Sequence, residues 1–253
     1  MISTAILDQI ITYAGTAVYF GGAALLFRQS LSDGSASRAN RVLAFILLMW
    51  GVAHVTFGLH LPEVSETMAH PMSVTMLLSG NLYIIICLLY PLELARPGWL
   101  GVRRVTLLLL PFVAVTGLYF LILGLLDEPV RHLGSLTSLL THFREFNVWY
   151  RVVLYLSVCF YLVYMFMATG VRGFAPHPLP GDQTPKTDRS TLRQLRIYAI
   201  GVICISLAYL ITLLYSSPAT LLTHRALSAL LFGVIALSAA RSGNEPAKSA
   251  AAP

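Results

Sequence analysis

The chain has 253 residues, of which 57% are hydrophobic and only 11% charged, with a formal net charge of +6. Soluble domains carry about a quarter charged residues, so this composition excludes a soluble globular protein and indicates an integral membrane protein. The basic residues lie between apolar runs instead of forming one patch, which argues against a nucleic-acid-binding surface and reads as a topology signal.

Crossing a hydrocarbon core of about 30 Å takes about 20 mostly apolar helical residues. Seven runs meet this requirement: Ile6–Phe27, Val42–Leu61, Met72–Leu92, Val105–Leu126, Val148–Thr169, Leu195–Tyr215 and Pro218–Ala240. They are apolar all round and do not alternate, so the expected fold is an all-α integral membrane bundle of seven transmembrane helices. The opening MISTAILDQI has no basic segment and carries Asp8, so the first run is expected to persist as a helix and not to be cleaved as a signal peptide. Residues 1–241 are read as the helical domain and 242–253 as a short disordered cytoplasmic tail.

Thirteen Lys and Arg residues fall in the loops after the first, third and fifth runs and in the tail, against four on the other side. The positive-inside rule then places the N-terminus outside and the C-terminus in the cytoplasm, in a multi-pass protein of the inner (cytoplasmic) membrane. No internal repeat with matching broken helices is visible, which weakens a transporter reading. Cys87, Cys159 and Cys204 all lie inside apolar runs and read as packing residues.

Two loops are long. The outer one places Leu133, Leu136, Leu140 and Phe143 at helical spacing, the pattern of a helix lying on the membrane surface. The inner one is proline-rich up to a helix cap at Thr187 or Asp188, after which Arg189, Arg193 and Arg196 share one face. That face suits anionic lipid or an acidic partner.

The third run ends in LLYPLELARPGWLGVRR. Pro91 removes a backbone hydrogen bond near the helix end, Glu93 and Arg96 are spaced to pair, and Pro97–Gly98 stop the helix before the interfacial Trp99. The segment reads either as a helix stop with an anchor or as a hinge. LLYPLELARPGWL, following an apolar third span in a seven-span chain, resembles the membrane region that precedes the cytoplasmic helix-turn-helix output of Bacteroidetes-type AraC-family regulators. The resemblance implies a sensor whose spans read a signal and pass it inward. No DNA-binding domain follows Arg241, so either output passes to a separate partner or the sequence is a piece of a longer protein.

Six of seven histidines fall on the outer half, and ionisable residues within spans often mark function. With the spans arranged in sequence, the first, second and seventh are neighbours, and Tyr13, His54, Arg151, His224 and Arg225 form the candidate ligand-binding pocket in the outer third. Two arginines there would favour an anionic or carbonyl-bearing ligand. The alternative for each is a snorkelling arginine or a histidine that satisfies a backbone carbonyl. Asn81, mid-span in the third run, is either helix–helix glue or a further ligand contact. Glu63, Glu66 and His70 share one face if their loop is helical, and His142 with Glu145 repeats the carboxylate–imidazole pairing, so these are weak metal candidates without a defining motif.

Both lysines, Lys186 and Lys248, lie outside the runs, which excludes a retinal Schiff base, and no cofactor is read from the sequence. Phosphate-binding loops, GxSxG elbows and paired intramembrane carboxylates are missing as well. The reading is a receptor-like sensor that binds a small ligand or proton and signals through cytoplasmic loops to a partner. The alternative is a small-molecule or ion transporter, or a membrane enzyme, using His54 and His224. The expected partners are membrane lipid, a small molecule and a cytoplasmic signalling protein.

Overall fold

The computed structural model describes residues 4–32, 37–59, 70–127, 130–174 and 189–243. It is all-helical, without a strand among these residues. In chain order the helices are α1 (Thr4–Ser32), α2 (Ser37–Leu59), α3 (Val74–Ala95), α4 (Val102–Leu126), the short α5 (Leu136–Thr141), α6 (Phe146–Phe174), α7 (Arg189–Leu214) and α8 (Pro218–Gly243). Seven of them, all but α5, are long and apolar enough to cross a membrane, so the chain is a multi-pass membrane protein. The tail from 244 onward, Thr187, Asp188, Glu63 and Glu66 lie outside the described residues.

The helices do not close into a simple ring. α1 packs on α2 and α8, α8 on α7, and α6 on α4 and α7, while α3 touches α2, α4, α6 and α7 at once. Two thirds of the α3 span (67%) is buried against 11% for α4, so α3 is the axis of the bundle and α4 its lipid-facing flank. Leu107, Leu110, Val113 and Leu121 of α4 accordingly point outward.

An axial helix in lipid can pair its polar groups only with its neighbours. Asn81 donates to Leu77 O at 2.9 Å and to Leu154 O of α6 at 3.0 Å, and it accepts from Ser157 Oγ at 2.7 Å. Asn81 is therefore glue between α3 and α6. Pro91 has no N–H to give to Cys87 O four residues back. Tyr198 of α7 supplies the missing donor, its hydroxyl meeting Cys87 O at 2.6 Å. Near Pro111 in α4 a hydroxyl is inserted into the ladder: Tyr161 accepts from Phe112 N at 3.1 Å and donates to Leu108 O at 3.0 Å. Such an insertion is a recognised cause of helix bending.

At the basic end of the bundle, Glu93 is only 2% exposed. It does not pair with Arg96, which is already off helical dihedrals as the C-cap residue (φ −141°, ψ 85°). Instead the carboxylate accepts from the amides of Gly98 (2.8 Å) and Leu100 (3.0 Å) and pairs with Arg38 of α2 at 3.2 Å. One acid thus folds the α3–α4 turn, with Gly98 at φ +83°, and ties it to α2. Trp99 lies under the Arg104 guanidinium, 5.8 Å away. The surface helix α5 is capped by Ser135, whose hydroxyl accepts from Ser138 N at 3.1 Å. Leu139 of this helix and Leu133 just before it are buried against the protein, while Leu140 and Phe143 are exposed. Arg193 and Arg196 are exposed at the start of α7.

The Pro91–Tyr198 compensation can be measured. Tyr198→Phe should cost about 1–3 kcal/mol in reversible unfolding, because a buried carbonyl loses its partner. In a Pro91→Ala background the restored N–H takes over that carbonyl, and the cost of Tyr198→Phe should fall by about 1 kcal/mol. Equal costs in both backgrounds would show that the hydroxyl and the proline are unrelated.

Candidate ligand-binding cavity

A cavity of about 480 Å³ lies between α1, α2, α3, α7 and α8, with Val158 of α6 also in its lining. Small-molecule sites typically run from roughly 300 to 1,000 Å³. Each helix faces it with one stripe at helical spacing: Trp50, His54 and Phe57 on α2, Ser79, Tyr83 and Cys87 on α3, and Leu221, Arg225, Ser228 and Phe232 on α8. α1 adds Asp8 and Tyr19, and α7 adds Ile205 and Tyr209. The lining runs from exposed Gln9 and Pro218, at the end opposite the arginine-rich one, to buried Cys87 and Phe232.

Aromatic rings make most of its shape. Trp50 is 5.0 Å from Tyr83, 5.2 Å from Phe232 and 6.3 Å from His224, centroid to centroid. Tyr19 stands 5.4 Å from His54, and Tyr209 5.4 Å from His224. The Trp50 indole N–H donates to Cys87 Sγ at 3.4 Å, which fixes the ring over the cavity floor.

The electrostatics reduce to one ion pair. Arg225 of α8 binds Asp8 of α1 through Nη1 and donates to Thr12 Oγ1 through Nη2 at 2.7 Å. Both charged side chains are nearly buried, 11% and 13% exposed, and their charges cancel. Two buried donors remain without a partner among the described residues, Arg225 Nε and the Tyr19 hydroxyl. His54 Nε2 lies 3.0 Å from Ile11 O. A carbonyl only accepts, so Nε2 carries the proton and Nδ1 is left as an acceptor. The ring reaches Ile11 because residue 15 is glycine: a Cβ there would overlap three atoms of the imidazole. His224 Nε2 is 3.5 Å from Ser228 Oγ, the outer limit of a hydrogen bond, and that hydroxyl donates to His224 O at 2.6 Å. Ser79 likewise donates to Met76 O at 3.1 Å. Both hydroxyls are thus spent on carbonyls of their own helices.

The structure brings His54, His224 and Arg225 together in this cavity. The expected contact of the first, second and last spans is present, with α1 on α2 and α8 and α2 on α8. Tyr13, Asn81 and Arg151 do not line it. Tyr13 is 75% exposed on the outer side of α1. Asn81 is two residues from Ser79 and Tyr83, about 200° around the helix, and so faces α6. Arg151 is 1% exposed on α6, about two turns from Val158, the α6 residue that does line the cavity. Its guanidinium is spent on main-chain and amide oxygens: Nε to Asn147 O at 3.1 Å, and Nη2 to Asn147 Oδ1 at 3.0 Å and to Arg131 O. With Arg151 elsewhere and Arg225 neutralised by Asp8, the expected bias toward an anionic ligand is lost.

Of the described residues considered for a metal, Glu145 and His142 are turned to other uses. Glu145 pairs with Arg131 at 2.9 Å, and His142 Nδ1 contacts Ser138 O at 2.9 Å. His70 lies beside His132, ring centroids 5.0 Å apart. The described residues contain no group of three potential metal ligands.

Asp8 and Trp50 line the cavity unanticipated, whereas Tyr19, Tyr83 and Tyr209 belong to the set of span tyrosines of which a few are expected to face a cavity. A signal for Asp8 was available, since it is the one carboxylate inside any of the seven apolar runs and Arg225 lies on a neighbouring span. No protein-family model, curated protein or solved structure matches this chain.

Gly15→Ala should displace the His54 ring and destabilise the protein by about 1–3 kcal/mol through overpacking. Adding His54→Ala should relieve most of that strain, so the double variant should melt close to His54→Ala alone. Strictly additive losses in thermal unfolding would mean that the glycine serves something other than the imidazole.

Proposed function

We propose that the protein is a receptor-like sensor of the cytoplasmic membrane. A small molecule enters the cavity from outside, and output leaves through the arginine-rich loops to a separate partner. The observation that carries the reading is the position of the cavity: its lining reaches the end away from the arginines, and its wall includes α3, whose other end is the Glu93 turn beside Arg38. Arginine enrichment at that second end supports its placement in the cytoplasm. The motif resemblance to membrane regions of AraC-type regulators, which includes Glu93, supports the sensing role.

Ligand action requires two helix arrangements bound with different affinity. α3 is suited to register such a difference, since Tyr83 and Cys87 line the cavity and Pro91 lies one turn beyond.

Two measurements test the reading. On spheroplasts, a membrane-impermeant maleimide should label Val130→Cys directly and Val102→Cys only after permeabilisation; the reverse pattern inverts the orientation. In proteoliposomes loaded with a pH-sensitive dye, an imposed pH gradient should decay as in empty vesicles. Proton flux that is lost in His54→Ala would replace the sensor by a transporter.

A further inference from the structure

We infer that the cavity takes an uncharged, planar aromatic molecule, and that the Asp8–Arg225 pair sets this preference by pairing off the two formal charges that the described residues bring to the lining. The inference rests on the cavity being the ligand site proposed above. Aromatic rings in the lining come from Trp50, Tyr83, Tyr209 and Phe232, with the His224 imidazole 5.4 Å from Tyr209 and the His54 imidazole 5.4 Å from Tyr19, centroid to centroid. Rings of this kind receive another ring in offset or edge-to-face contact.

The exclusion of charge follows from pairing. A carboxylate ligand would have to take Arg225 from Asp8, and an ammonium would have to take Asp8 from Arg225, each leaving a nearly buried charge alone. Aromatic faces do attract cations, but here a guanidinium already lies in the same cavity. The polar edge of the ligand is defined by what the site lacks. Tyr19 Oη and Arg225 Nε are buried donors without a partner among the described residues, which calls for an acceptor oxygen such as a carbonyl or a phenol. His54 Nδ1 accepts a proton donor in return.

Three naphthyl compounds share one ring system and differ in charge: 2-naphthol, 2-naphthoate and 2-naphthylmethylammonium. Equilibrium dialysis against the full chain in zwitterionic nanodiscs, relative to empty discs at pH 7, should show saturable binding of 2-naphthol. Both ions should bind at least about tenfold more weakly. Asp8→Asn leaves Arg225 unopposed and should shift the preference toward 2-naphthoate by about tenfold or more, and Arg225→Gln should shift it toward the ammonium. The swapped variant D8R/R225D restores the pair and should restore the neutral preference, which guards against a single variant that fails to fold. The inference is overturned if 2-naphthol shows no saturable binding, if either ion binds the wild type as well, or if folded variants keep the original order.

A fluorophore on Val102→Cys, at the start of α4, separates this inference from the sensor reading. Binding of 2-naphthol without a fluorescence response leaves the ligand class standing and removes the sensor. A response to a charged compound alone keeps the sensor and removes the ligand class.

Discussion

The structure depends on the withdrawal of α3 from its surroundings, with two thirds (67%) of its span buried. A polar atom on a helix packed against four others is satisfied within its own turn or by a group that a neighbouring helix brings to it. Asn81, Cys87 O and Met76 O each receive such a partner, from α6 for the first and from Tyr198 and Tyr209 of α7 for the others. The apolar packing around Leu88, Ile85 and Leu47 supplies contact area but little direction. These polar stitches set the rotation of α3, and the rotation decides which of its residues face the cavity.

The same economy explains the two buried arginines. Arg151 is surrounded by carbonyl oxygens and an amide, and it holds the loop ends near Met72 and Arg131 against α6. Arg225 meets a carboxylate and a hydroxyl and joins the first helix to the last. One guanidinium is therefore a fastener between segments, and the other is a fastener that also forms a cavity wall. Their contrast lies in position, since Arg225 lines the cavity and Arg151 does not.

The seven spans and the concentration of arginine at one end were legible because hydrophobic length and charge are summed over many residues. The cavity was legible in part. His54, His224 and Arg225 announce themselves as ionisable groups in apolar runs, and the contact of their helices follows from their order in the chain. Helical phase was not legible: Tyr13 and Asn81 have the right depth and the wrong azimuth, and no rule of composition reports azimuth in a helix that is apolar all round. The Glu93–Arg96 spacing misled for a related reason, since i, i+3 geometry holds only while both residues remain helical. The axial placement of α3 was also hidden, because linear order suggests a ring.

Gly15 and His54 have a consequence for how such a sequence can drift. The glycine leaves a notch, and the imidazole is the object that fills it and reaches Ile11 O. Neither position is free to change by itself: a methyl at 15 evicts the ring, and a small side chain at 54 leaves a void against α1. Descendants of this chain should therefore exchange the two residues jointly or retain both, making the pair a heritable marker of the α1–α2 seam.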